Sequence, residues 1–186
     1  DRVKDSRFSA AQVNAAELED IRELIRTADP DIVINAVDPR YVMPIFLACE
    51  IENTNYIDMA MSLSRPHPHY PYTETGVKLG DEQFARDWNW GERKIFALVG
   101  MGIEPGMSDV FAKYAADHLF GRIDQITILD GSNLHVEGHN FAPSFSIWTT
   151  IEECLNPPIV WEDGRGWFTT EPFSELEIFD FPEGIG

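Results

Sequence analysis

The sequence predicts an α/β protein: part of a doubly wound parallel sheet, followed from about residue 121 by the start of an α+β domain. Three observations carry this. Short apolar runs alternate with helical patterns from residue 8 to residue 60, joined by connections of only a few residues. A further apolar run, Ile95-Phe96-Ala97-Leu98-Val99, breaks into Gly100-Met101-Gly102-Ile103-Glu104-Pro105-Gly106 and leads at once into an amphipathic helix. Beyond residue 121 the alternation stops. Parallel strands need crossovers of this kind, and the crossovers are almost always right-handed.

Residues 8–13 read as a short strand, and Asn14 as the cap of a helix with Glu17 three positions on. Leu18, Ile21, Leu24, Ile25 and Ala28 form that helix's apolar stripe, ended by Asp29-Pro30. Residues 31–37 are a nearly continuous apolar run, as expected for a parallel strand buried on both faces. Asp38-Pro39 opens the next helix, whose buried side is Val42, Ile45, Phe46, Cys49 and Ile51. Residues 56–60 are the next strand. Residues 61 to 80, with Ser64-Arg65-Pro66-His67-Pro68-His69-Tyr70-Pro71, cannot be regular; a helix at 81–91 and the strand at 95–99 restore the rhythm. After a helix at 107–119, a strand at 123–129 ends at Asp130-Gly131, and residues 145–155 are helical. Three further strands follow, at 159–161, 166–169 and 176–179.

Composition narrows the function. The 186 residues are 44% hydrophobic, and 32 acidic against 14 basic residues give a net charge of −18. That balance argues against nucleic acid or an anionic membrane as partner, because Lys and Arg supply most of that affinity. No apolar stretch approaches the roughly 20 residues of a membrane span, and no signal peptide is evident. Two widely separated cysteines, Cys49 and Cys154, suggest a reduced, cytoplasmic protein. The chain opens on Asp1 and stops without closing a pattern, so a fragment of a longer protein is expected.

The chemistry should lie where strands end. In a doubly wound sheet Asn35-Ala36-Val37, Asp58-Met59-Ala60 and the turn at 102–106 face one crevice, where ligands collect. Small residues at Ala36 and Ala60 permit a flat ring to lie against the backbone; the plain alternative is ordinary small core residues. The turn leaves unpaired N–H groups at a helix start, but Glu104 would repel a phosphate. The site therefore suits a cationic or polar group, or acid–base work. No Gly-x-Gly-x-x-Gly follows a strand near the N-terminus, so a pyrophosphate loop would have to lie upstream of Asp1. His67, His69, His118, His135 and His139 lack ligand spacing, so no metal site is expected.

The order of "DPDIVINAV", a helix holding Cys49, "NYIDMA" and "GMGIEPGMSDVFAKYA" resembles the saccharopine dehydrogenase family, including its carboxynorspermidine dehydrogenase relatives. The resemblance covers residues 8 to 130, and the strand-rich tail is similar to the start of the family's substrate domain. It implies residues 1–120 as the C-terminal part of a Rossmann-like NAD(P)-binding domain. Residues 121–186 would begin an α+β substrate or dimerisation domain. The implied activity is NAD- or NADP-dependent oxidoreduction at the CH–NH bond of an amino-acid-derived secondary amine, in lysine, other amino-acid or polyamine metabolism. By match of motif it places Asn14 near the adenine, and Asn35, Ala36, Val37 and Gly102 along the cofactor. Asp58 and the Glu104-Pro105-Gly106 turn then match the edge of the substrate cleft. Apart from the resemblance, Asp58, Glu104 and Asp130 are candidate bases, the first two leading because the sheet fixes strand ends, with His135 or His139 as titratable partner and Asp130 and His135 facing the substrate. The alternatives are a semialdehyde or homoserine dehydrogenase-like enzyme, or a non-catalytic binding or dimerisation module. A homodimer is an option, with Trp148, Trp161 and Trp167 at a subunit contact or, alternatively, packed in an α+β core.

Overall fold

In the computed structural model, which describes residues 6–131, 133–139, 142, 146–174 and 176–182, the elements follow a βαβ logic with a small separate hairpin. Helix α1 (Leu18–Ala28) precedes strand β1 (Ile32–Asn35); a 3₁₀ turn (Pro39–Tyr41) leads into α2 (Val42–Glu52), then β2 (Asn55–Asp58). Two short helices, α3 (Asp81–Phe84) and α4 (Asp87–Arg93), precede β3 (Ala97–Leu98) and α5 (Met107–His118). Helix α6 (Ile147–Leu155) and strands β4 (Ile159–Glu162) and β5 (Gly166–Thr169) complete the order. The sheet runs β1-β2-β3, all parallel, while β4 and β5 pair antiparallel. This is a mixed α/β, partial Rossmann-like arrangement.

The strands alternate faces, so register decides what is covered. Val33, Tyr56 and Ala97 align on one face, against which α1 and α2 lay Ile21, Ile25, Ile45, Phe46 and Cys49. Phe46 anchors this core, edge-on to Tyr56 at 5.3 Å and against Trp90 at 4.7 Å. Ile34, Ile57 and Leu98 align on the other face, where Ile34 is 65% and Leu98 44% exposed. The expectation of a strand buried on both faces is thus corrected, because the helices pack on one side only. Burial also pushes the Cys49 thiol up to about 12, so it is an inert packing group.

Several boundaries differ from the sequence reading. Residues 8–13 form no strand and are exposed. Helix α1 starts at Leu18 with Glu17 as an uncapped N-cap; the Asn14 side chain instead accepts from Ala16 N at 3.2 Å. Short local Asx turns of this kind compete with helix capping. Residues 123–131 and 176–179 pair with no strand among the described residues, and the helix at 81–91 is split in two. Phe145 lies outside the described residues. The irregular 61–80 segment is held by the Arg65↔Val77 bridge and by His67, whose Nδ1 accepts from Tyr70 N at 3.0 Å. It docks on the hairpin through Thr169 Oγ1, which donates to the Pro71 carbonyl at 2.8 Å.

One buried ion pair joins α2 to α4. The Glu50 side chain is 3% exposed and accepts from Arg86 Nε, from Arg86 Nη2 at 2.8 Å and from Asn89 Nδ2 at 3.2 Å. The Arg86 hydrogen bonds hold the Glu50 carboxyl below its ordinary range. A lowered acid stabilises the fold above its unfolded pKa and loses that contribution as pH falls through the folded value. Arg86→Met should therefore cost about 2–3 kcal/mol at neutral pH, below the figure for a fully buried pair because Arg86 is part-exposed. The deficit should shrink as pH falls below the ordinary glutamate range and Glu50 takes up a proton. Urea melts of both proteins at neutral and acid pH check this; a pH-independent deficit contradicts it.

Candidate functional site

Because the three strands are parallel and adjacent, their carboxyl ends lie side by side. Asn35 and Asp58 occupy one register row, and β3 runs out into Gly100 beside them. At the end of β1 the chain turns through Asn35, whose Oδ1 accepts from Val37 N at 3.3 Å. Ala36 and Val37 are left exposed at this edge, with Met59 and Met101 also exposed on the neighbouring strand ends.

The turn from Gly100 to Gly106 is closed by Gly102 N donating to Pro105 O and Met107 N donating to Gly102 O, both at 3.0 Å. Its glycines are required by space. A Cβ on Gly102 would stand 2.6 Å from the Met59 carbonyl oxygen. Gly106, at φ 132°, is where only glycine sits easily, and a Cβ there would stand 2.4 Å from Gly102 O. The Asp109 side chain accepts from Gly106 N at 2.9 Å and starts α5.

Glu104, in that turn, is exposed. With Asp130 it lines an open cleft of about 380 Å³ whose walls are Ile103, Met107, Phe111, Ile126 and Ile128. Ser108 lines the same cleft, and its Oγ is buried without a hydrogen-bond partner among the described residues. A third acid is close by. The Glu153 carboxyl is pushed up, first by partial burial and then by the Asp130 charge. The structure thus brings Glu104 and Asp130 together. His135 and His139 are exposed in a tight turn closed by the Val136↔His139 bridge, and neither lines this cleft.

Asp58 departs most from the sequence expectation. It is 0% exposed, and its two oxygens receive four hydrogen bonds. Gly100 N donates to Oδ1 at 2.7 Å and Met61 N at 3.1 Å; Gln83 Nε2 donates to Oδ2 at 2.7 Å and Tyr56 OH at 3.0 Å. A carboxylate has about four lone-pair positions, so none is left for a substrate proton. The reason is topological: Tyr56 and Asp58, two apart on β2, point into the covered face rather than the crevice. Burial pushes the Tyr56 phenol far above its usual range, so it remains a hydroxyl that donates to Asp58 while accepting from Asn35 Nδ2 at 2.8 Å. Gln83 was not legible as a partner, since it comes from α3, 25 residues away.

Asn14 stands elsewhere, exposed on a shallow groove of about 580 Å³ shared with Gln12, Val13, Asp20, Glu23, Leu24 and Thr27. Among the described residues no three His, Cys, Asp or Glu side chains converge as metal ligands, and no helix is long and apolar enough to cross a membrane.

Parallel strands with a shared carboxyl edge and a glycine turn feeding a helix define a dinucleotide-type α/β domain. Residues 1–98 match the family model of the saccharopine dehydrogenase NADP binding domain, and the chain belongs to the saccharopine dehydrogenase family, whose cofactor class is NAD(P). It is 33% identical to a carboxynorspermidine synthase of Vibrio alginolyticus, over 97% of this chain and 42% of the relative. A carboxynorspermidine synthase of Vibrio cholerae is 33% identical over 97% of this chain and 43% of its own length. A carboxyaminopropylagmatine dehydrogenase of Synechocystis is 26% identical over the same shares, 97% and 43%. The chain therefore spans less than half the length of these curated relatives.

Proposed function

We propose that this chain forms the nicotinamide-side and substrate-facing part of an NAD(P)-dependent oxidoreductase that works on the CH–NH bond of a carboxylated polyamine. The cleft between Glu104 and Asp130 carries the reading. Its apolar walls suit methylene groups and its two carboxylates suit ammonium groups. A net charge of −18 raises the local concentration of a cationic substrate. The names of the similar proteins point the same way, towards polyamines rather than lysine.

The residues present fit the coenzyme implied by the family. Ala36 and Val37 present an apolar, exposed edge, and Gly102 lets the neighbouring turn pack tightly against the Met59 carbonyl beside it. Ala36, Val37 and Gly102 would hold its nicotinamide side and Asn14 its adenine; Asn35, expected beside them, is instead buried and occupied by Tyr56 and Val37 N, so it shapes that edge without reaching the coenzyme. When bound, it supplies the ring that accepts or returns a hydride. Oxidation breaks the C–H bond beside nitrogen, the N–H proton passes to a base, and the C=N product is split by water into a carbonyl and an amine. In this reading Glu104 takes that proton; its exposure in the turn and its position lining the cleft support the role. Asp130 holds the substrate's remaining positive charge, with Pro105 and Gly106 shaping the wall and His135 further out.

The same reading keeps a boundary near residue 121. It assigns the protein to a reducing, cytoplasmic compartment, supported by two free cysteines. It leaves Trp148, Trp161 and Trp167, each more than half exposed, for a subunit contact. The test is a coupled-substrate comparison with the intact gene product, following reduction of NADP⁺. With carboxynorspermidine kcat/KM should exceed that with saccharopine by at least about tenfold, since additional carboxylates meet Glu104 and Asp130. The opposite order overturns the polyamine assignment.

A further inference from the structure

We infer that Asp58 is a positioning residue rather than a base: its carboxyl locks the ends of all three strands into one rigid rim and so fixes where Glu104 stands relative to the edge formed by Ala36 and Val37. The inference rests on the proposed function only for its kinetic consequence.

The links are continuous. Val37 N donates to Asn35 Oδ1, Asn35 Nδ2 donates to Tyr56 OH at 2.8 Å, and Tyr56 OH donates to Asp58 Oδ2 at 3.0 Å. From Asp58 the network reaches the third strand end twice, through Gly100 N to Oδ1 at 2.7 Å and Met101 N to the Asp58 carbonyl at 2.8 Å. It also holds the start of the irregular segment. Met61 N donates to Oδ1, and Ser62 N donates at 2.7 Å to Gln83 Oε1, whose amide nitrogen is bound to Asp58. Asn35, Tyr56, Asp58, Ser62 and Gln83 are all at most 4% exposed. The Asp58 carboxylate accepts four bonds here, and of these five side chains only the Ser62 hydroxyl lacks a partner among the described residues. A buried network so occupied has few alternative arrangements, and loss of one member leaves others unpaired. Gly100 is the entry to the turn that carries Glu104, so the Asp58 carboxyl acts on the cleft through the Gly100 amide without reaching it, beside the backbone bond from Met101 N.

Asparagine and alanine separate the two roles. In Asp58→Asn the side-chain amide keeps an oxygen for Gly100 N and Met61 N but sets a donor against Gln83 Nε2; in Asp58→Ala every side-chain bond is lost. In the intact gene product Asp58→Asn should lower kcat about tenfold and leave both limbs of the pH–rate profile in place, whereas Asp58→Ala should lower it about 100-fold or more. Asparagine as inactive as alanine, or a missing limb in Asp58→Asn, would make Asp58 a base and overturn the inference. Hydrogen exchange on the wild-type chain tests the network without any activity or variant. The Gly100 and Met61 amides should exchange at least about 1000-fold slower than free peptide. Exchange near the free rate at Gly100 overturns the inference. Protected amides in a wild type that transfers no hydride to any amine uphold the network and overturn the functional reading alone.

Discussion

Replacing Glu104 with glutamine should lower turnover by about 100-fold or more while changing NAD(P)H affinity less than about twofold. Glutamine keeps the size of the side chain and an oxygen that accepts hydrogen bonds, but it cannot take a proton at neutral pH. Glu104 is exposed, lines the cleft with Asp130 and is carried by a turn whose backbone is closed by its own hydrogen bonds, so the substitution should leave the fold undisturbed. Steady-state kinetics with a fluorescence titration of the reduced coenzyme separates the two effects. Equal turnover in mutant and wild type removes Glu104 from the chemistry. A parallel loss of coenzyme affinity would move it to the edge formed by Ala36 and Val37.

The second large effect is expected at Gly106. Its φ of 132° is strained for any residue with a Cβ, and the added atom would stand 2.4 Å from Gly102 O and 2.6 Å from Gly100 O. Both are backbone atoms of the same closed turn, so neither can swing aside. Gly106→Ala should cost about 3 kcal/mol or more, and lower Tm by roughly 6–12 °C for a chain of this size. Gly91 in α4 is the matched control, because a Cβ there meets nothing within 4 Å. Gly91→Ala should be neutral or stabilising by up to about 1 kcal/mol. Equal melting of the two variants would mean that the turn does not have the described geometry.

How much of this is legible in the sequence follows from range. β1, β2 and α2 carry local signals, namely continuous apolar runs and the Asp38-Pro39 start, and they form close to the expected places. The Glu104 turn is legible because its glycines stand between an apolar run and an amphipathic helix. The stretch 123–129 reads as a strand from its isoleucines, but β-propensity is satisfied only by a partner, and none of the described strands pairs with it. Asp58 reads as a crevice residue because it ends a strand. The period of two on β2 puts it, with Tyr56, on the side that α2 covers, and which side meets the core depends on helices that a strand's own sequence does not name. Gln83 and Arg86 bind partners 25 and 36 residues away, distances over which local pattern is silent.

Three parallel strand ends sharing one rim is the claim on which the functional proposal depends. The most direct test is a crystal structure of the intact gene product with NADP⁺ bound. The nicotinamide ring should lie against Ala36, Val37 and Gly102, with the Glu104 carboxylate on the side open to the Asp130 cleft. A coenzyme lying across the exposed face of Ile34 and Leu98, or along the β4–β5 hairpin, would contradict the account.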